Sequence, residues 1–209
     1  MGSAWIQFAG INKAFGPKVV YEGLSLGIHR GETVTILGAS GSGKSVMLKM
    51  LIGLLKPDVG EIMFDGKDVA PMSEADLVLV RRRVAYLFQG AALFDSMSVG
   101  DNVSYGLREQ YWQTMKESEV QERVAEALTS VGLPNIEHMM PADLSGGMKK
   151  RVGLARAIAV QPEVLLYDEP TTGLDPINTE RINQLIRGLK KALTVTSIVV
   201  THDMKSAFS

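Results

Sequence analysis

The sequence predicts an α/β domain with an antiparallel β portion at its N-terminus and a mostly helical insertion, on three observations. Thr33 to Leu37 (TVTIL) is a β-branched apolar run that passes directly into glycines and then into a strongly apolar, helix-like stretch. Two short apolar runs, Val164 to Tyr167 (VLLY) and Ser197 to Val200 (SIVV), return late in the chain. From about Gln89 to Val160 the apolar residues recur largely at helical spacing instead.

In chain order, Trp5 to Phe8 alternates apolar and polar, as do Leu24, Leu26 and Ile28, which predicts half-buried antiparallel strands turning at Gly16-Pro17 and Arg30-Gly31. Thr33 to Leu37 has little alternation and is expected to be a central strand buried on both faces. The apolar run after Ser45, free of proline until Pro57, predicts a buried helix that ends before that proline. Glu61 to Phe64 and Val84 to Phe88 read as further strands, with Asp65-Gly66 a turn signal between them. Arg81-Arg82-Arg83, the only basic run, reads as a solvated edge. Ser118 with Gln121 forms a candidate capping box, followed by Val120, Val124, Leu128 and Val131 at helical spacing until Gly132. From Gly146 a last helical stretch sets its bases on one side and its aliphatics on the other.

Composition narrows the function classes. The 209 residues suit one compact domain, and 45% hydrophobic residues suffice for a sizeable core. With 22 Lys and Arg against 23 Asp and Glu, the net charge of −1 sets up no global field toward nucleic acid or an anionic bilayer, and no nucleic-acid partner is expected. No apolar run approaches the roughly 20 residues that span a bilayer, and the first residues lack the order of a signal peptide, so a cytoplasmic location is expected. The absence of cysteine excludes disulfides, thiolate metal sites and cysteine nucleophiles.

The chemistry concentrates in two places. Gly38, Ala39, Ser40, Gly41, Ser42, Gly43, Lys44 and Ser45 read GASGSGKS, a full match to the phosphate-binding loop G-x-x-x-x-G-K-[ST]. Glycines let such a loop turn tightly and aim backbone N–H groups inward, and the following helix presents its positive end to the same anion. Lys44 supplies a point charge for β- and γ-phosphates, and the Ser45 hydroxyl can ligate Mg²⁺. Asp168 and Glu169 end an apolar strand at the place where an open α/β sheet opens its ligand crevice. Asp168 is placed to hold Mg²⁺ and Glu169 to polarise a water against the γ-phosphorus. Gln89 and His202 also follow apolar strands; the Gln89 amide can ligate Mg²⁺ or position water, and His202 is a candidate catalytic group beside Glu169 and Lys44.

Leu144-Ser145-Gly146-Gly147-Met148 resembles the LSGGQ signature of ABC (ATP-binding cassette) ATPases, and it lies between Gln89 and Asp168-Glu169 in that family's order. The resemblance covers nearly the whole chain. It implies a RecA-like P-loop NTPase core with an N-terminal antiparallel β subdomain and an inserted α-helical subdomain. Residues 1–209 then form one ABC ATPase domain, divided into a core of 1–88 plus 161–209 and an insertion of 89–160. It further implies that Phe15 stacks on adenine, Gln89 is the Q-loop, Gly173-Leu174-Asp175 is the D-loop at a dimer interface, and His202 contacts the γ-phosphate. Ser145, Gly146 and Gly147 would serve the γ-phosphate of MgATP bound to a second copy, in a head-to-tail pair that drives a membrane permease. Phe88 to Val99, with Asp101-Asn102-Val103 and Gly106 to Glu109, resembles the ATPases of Mla/MCE-type lipid transporters. That implies phospholipid or related cargo, an inner-membrane permease, an MCE-domain lipid-binding partner, and a place on the cytoplasmic face of a bacterial inner membrane. The competing class is a non-transport ABC protein acting on nucleic acid or ribosomes, whose basic surfaces and long coiled coil this sequence does not resemble. Members usually continue well beyond the switch histidine, whereas this sequence stops at Ser209, which leaves the contacts of a C-terminal tail open.

Overall fold

The computed structural model describes residues 4–111, 114–193 and 195–203. Strands β1 (Ile6–Phe15) and β2 (Lys18–Ile28) form a hairpin across Gly16-Pro17, joined in an antiparallel sheet by β4 (Val59–Phe64) and the short β5 (Lys67–Asp68), in the order β2-β1-β4-β5. Strands β3 (Thr33–Leu37), β6 (Val84–Leu87), β7 (Val164–Asp168) and β8 (Thr196–Thr201) form a parallel sheet in the order β3-β8-β7-β6.

Strand period 2 sends alternate residues of β7 and β8 into two different cores. Val164, Leu166, Ile198 and Val200 pack with helix α1 (Lys44–Leu51) and with Ile6, Phe8, Ile11 and Ile62 of the antiparallel sheet. Leu165, Tyr167 and Val199 face a layer made by α3 (Val99–Gln110), α4 (Glu117–Ser130), α5 (Gly146–Ala159) and α6 (Pro176–Leu193). β7 is therefore buried along its whole length, and its C-terminal end delivers Asp168 to the crevice between loops.

Several expectations are corrected. β3 is not buried on both faces: among the described residues it pairs only with β8, and Val34 and Ile36 pack inward while Thr35 and Leu37 are exposed. The helical layer that covers β7 does not reach it. α1 does end before Pro57, as expected, but the stop is set at Leu51 by Gly53 at φ +69 and by the Leu54 amide bonding back to the Lys49 carbonyl, and not by the proline. The strands expected at Glu61 to Phe64 and Val84 to Phe88 and the turn at Asp65-Gly66 are present, but β4 and β6 lie in different sheets with an unexpected helix, α2 (Glu74–Arg83), between them, whose N-cap Ser73 accepts from the Asp76 amide. The arginine run is the last turn of α2, and only Arg82 is solvated as expected, while Arg81 and Arg83 are half-buried and partnered. Arg81 Nε donates to the Ile52 carbonyl at 2.9 Å, and Arg83 binds Glu163 and Asp65. α4 begins at Glu117, ahead of the Ser118/Gln121 pair, with the Glu119 carboxylate accepting from the Lys116 amide at 3.0 Å. The bases of α5 do not all face outward: Lys150 is only 8% exposed.

Candidate active site

The phosphate-binding loop leaves β3 at Gly38, whose amide bonds to the Thr201 carbonyl of β8 at 3.4 Å, and returns as α1. Gly43 is the residue that only glycine can be. It has φ +100, and a Cβ there would lie 2.3 Å from Val20 Cγ1 and 3.3 Å from the Tyr21 hydroxyl. Tyr21 also donates to the Gly43 carbonyl at 2.7 Å, so β2 buttresses the loop from outside, and Lys18 reaches the Gly41 carbonyl at 3.3 Å. Burial raises the Tyr21 phenol above its usual range, so it remains the donor.

Lys44 is 7% exposed, and its ammonium lies in the mouth of the loop, donating to the carbonyls of Gly38 (2.8 Å) and Ala39 (3.0 Å) and pairing with Glu169 Oε1 at 3.3 Å. Ser45 Oγ donates to Asp168 Oδ1 at 2.6 Å, and the Tyr86 hydroxyl donates to Asp168 Oδ2 at 2.7 Å. Glu169 Oε2 is 2.7 Å from His202 Nδ1 and accepts from Thr172 Oγ1 at 3.2 Å. Burial pushes the Glu169 carboxyl up, but hydrogen bonds from His202 and Lys44 outweigh it and hold the group below the usual carboxylate range. The carboxylate is thus ionised at neutral pH, the state a proton acceptor needs.

Glu169 itself sits at φ +50, a left-handed conformation uncommon outside glycine. The turn it opens is closed by the Thr172 amide on the Glu169 carbonyl and pinned from α5 by Lys150, which donates to the carbonyls of Thr172 (2.7 Å) and Glu169 (3.4 Å). Burial lowers the Lys150 ammonium below the usual lysine range, and the nearby Glu169 charge partly restores it.

Lys44, Ser45, Glu169, Thr172 and His202 line one cavity of about 420 Å³ together with Phe15, Lys18, Val20, Ser40, Gly41, Gly43, Val46 and Gln89. The structure brings together Phe15, Ser40, Gly41, Gly43, Lys44, Ser45, Gln89, Glu169 and His202, with Asp168 behind Ser45. Gly38, Ala39 and Ser42 shape the loop: the Ser42 amide bonds to the Ala39 carbonyl at 3.2 Å. Ser145, Gly146, Gly147 and Asp175 do not reach the cavity. Ser145 N-caps α5 through its Oγ on the Met148 amide, and exposed Asp175 caps α6 by accepting from Ile177 and Asn178. The two caps touch. A Cβ on Gly147 would lie 2.9 Å from Asn178 Oδ1, and Asn178 Nδ2 donates to Asp175 Oδ2 at 2.6 Å.

The donor set suits magnesium. Asp168 and Ser45 offer hard oxygens side by side at the end of the loop, with the Gln89 amide on the cavity wall, a partial set of the kind magnesium completes with water and phosphate oxygens. Sequence reasoning missed Tyr21, Tyr86, Lys150 and Thr172. A signal existed for the two tyrosines, since each places a hydroxyl in or beside an apolar strand, where it needs a partner.

The family model described as ABC transporter matches residues 21–172. Over 207 residues the chain is 44% identical to the probable ribonucleotide transport ATP-binding protein mkl of Mycobacterium leprae, covering 99% of this chain and 59% of that protein. It is 43% identical to the intermembrane phospholipid transport system ATP-binding protein MlaF of Haemophilus influenzae, over 93% of this chain and 73% of that protein. MlaF of Escherichia coli is 42% identical over 93% of this chain and 71% of its own length. The chain thus spans little more than half the length of the mkl proteins, 59% of one and 56% of another. Among solved structures, the dimeric ATP-binding cassette MJ0796 in a post-hydrolysis state with ADP and Pi superposes with a TM-score of 0.88 at 33% identity, covering 97% of this chain and 90% of that one.

Proposed function

Because the chain belongs to the ABC transporter family of ATP-binding proteins, we propose that it binds and hydrolyses ATP as the nucleotide-binding subunit of a transporter. The observation that carries this reading is the set of contacts inside one cavity: Lys44 on Glu169, Glu169 on His202, and Ser45 on Asp168. The β- and γ-phosphates of ATP replace Glu169 and the loop carbonyls as partners of Lys44. That exchange releases Glu169 to accept a proton from the attacking water, and frees His202 to turn toward the γ-phosphate. Phe15, 45% exposed at the cavity edge, offers its ring to adenine, and the Gln89 amide lies on the wall where water enters. Ser45, Asp168 and Gln89 would hold magnesium, which neutralises phosphate charge.

The amides that head α5 at Gly146 and Gly147 lack intrahelical acceptors and lie outside this cavity, so their anion comes from a second copy. Two copies closing head to tail each complete the other's site, and hydrolysis removes the γ-phosphate that both sides grip. The insertion at 89–160 is the face assigned to an inner-membrane permease. Likeness to both MlaF proteins, named for intermembrane phospholipid transport, supports phospholipid or related lipid cargo, whereas the mkl proteins are named for ribonucleotide transport. An MCE-domain partner and a peripheral place at the cytoplasmic face of the inner membrane complete the proposal. No helix among the described residues is long and apolar enough to cross a membrane.

Glu169→Gln tests the chemistry: nucleotide affinity is retained, steady-state phosphate release falls about 10²- to 10⁴-fold, and the ATP-bound pair outlives that of the parent by light scattering. Undiminished turnover would remove Glu169 from the role of base. Lipid analysis of the complex co-purified from membranes tests the cargo, and recovery of nucleotides in place of phospholipid would overturn it.

A further inference from the structure

Asp168 is 5% exposed, and its carboxylate is divided between two elements. Ser45 of the phosphate-binding loop holds Oδ1 at 2.6 Å, whereas Tyr86, opposite Leu166 in the register of β6 with β7, holds Oδ2 at 2.7 Å. The tyrosine ring is fixed in turn, half buried and stacked on Phe88 with centroids 4.3 Å apart and planes 32° from parallel. A carboxylate tied at one oxygen to a rigid phenol cannot rotate about its Cβ–Cγ bond without losing that bond. Its other oxygen is therefore committed to the side where Ser45 stands.

We propose that Tyr86 is a positioning residue for the divalent cation that accompanies the nucleotide: its hydroxyl fixes Asp168 so that Oδ1 meets the cation beside Ser45. This rests on the reading of Ser45 and Asp168 as the cation's ligands. Hydrogen-bond partners behind a metal ligand set its orientation and basicity, and their loss weakens metal binding about 10- to 100-fold. Tyr86→Phe retains the ring and its contact with Phe88 and removes only the donor. A residue that merely fills space would leave the response to magnesium unchanged.

The probe is methylanthraniloyl-ADP, whose fluorescence reports binding to the full chain, titrated with Mg²⁺ and separately in EDTA. For Tyr86→Phe the Mg²⁺ concentration giving half of the cation-dependent gain in affinity rises about 10-fold or more, while affinity in EDTA stays within about twofold of the parent. Tyr86→His, which keeps an N–H donor on a smaller ring, recovers part of the Mg²⁺ response and also serves if the phenylalanine variant folds poorly. Superimposable Mg²⁺ titrations would overturn the proposal, as would an equal loss in EDTA or two variants alike in their response. A parent protein whose nucleotide affinity ignores Mg²⁺, or an Asp168→Asn variant that keeps the full dependence, would instead overturn the ligand reading beneath it.

Discussion

The phosphate cradle and the corner where α5 and α6 begin are both helix N-termini rich in glycine, yet the chain finishes one and leaves the other open. In the cradle, Lys44 is matched to Glu169, Ser45 and Tyr86 to Asp168, and Tyr21 to the Gly43 carbonyl, so the charges and polar groups compensate one another before any ligand arrives. At the corner, Ser145 and Asp175 turn onto amides of their own helices, Asn178 lies between Asp175 and Gly147, and Ser145, Gly146 and Asp175 are exposed. The cradle binds by exchanging an internal partner for an external one. The corner has no such internal partner to exchange, and under the proposed function it acts when a second copy brings an anion to it. Lys150 joins the two, since it lies on α5 yet holds the turn that presents Glu169.

The sharpest way to break this comparison is Ser145→Arg, which fills the corner and leaves the cradle intact. Turnover falls about 100-fold, the scale set by loss of a donor to transition-state charge, while nucleotide affinity of the single chain is unchanged. Lys44→Ala does the converse: affinity for nucleotide falls about 10- to 100-fold, because hydrogen bonds to charged groups contribute about 1.5–3 kcal/mol. Mixing the two inactive variants is the decisive measurement. A head-to-tail pair made of one of each has one site with an intact cradle and an intact corner, so phosphate release recovers on mixing. Absence of recovery would place the corner's role within its own chain.

The cradle was legible in the sequence and the corner only partly so, for a physical reason. GASGSGKS and Asp168-Glu169 are local strings whose chemistry follows from adjacent residues, and the alternation in β1 and the buried run of β7 name their elements equally directly. Partners distant in sequence leave no such string: Tyr86 meets Asp168 across 82 residues and Lys150 meets Glu169 across 19, contacts fixed by sheet register and helix packing. The exposure of β3 is equally non-local, because a β-branched run looks the same at the edge of a sheet as in its middle. Helices α2 and α6 are not singled out by the sequence pattern, and α3 only as part of the helical insertion, although each carries a start signal, Ser73 with Asp76, Ser98 with Asp101, and Asp175 before Pro176. The continuous apolar run LVLV within α2 carries no period of its own, and only Leu77 and Val80 of its four residues are buried.

The smallest effect expected is in acid stability, and it separates the two regions by the origin of the shift. The Glu169 carboxyl lies below its usual 4.5 despite burial, because His202 and Lys44 outweigh it, whereas Asp175 lies below its usual 3.8 because the Asn178 amides bond its charged form. A folded-state value below the unfolded one means that each group stabilises the fold above its unfolded value. That contribution is lost as pH falls through the depressed folded value. Urea unfolding followed from pH 6 down to pH 3 therefore shows stability declining on the acid side, within reach of the unfolded values near 4. Lys44→Ala removes one of the groups opposing burial and flattens the part of that decline due to Glu169, whereas Asp175→Asn flattens the corner's part and leaves the cradle's in place. If Lys44→Ala left the acid limb unchanged while Asp175→Asn abolished it, the cradle's charges would not be compensating one another in the folded chain, and the contrast between a finished site and an open one would lose its electrostatic basis.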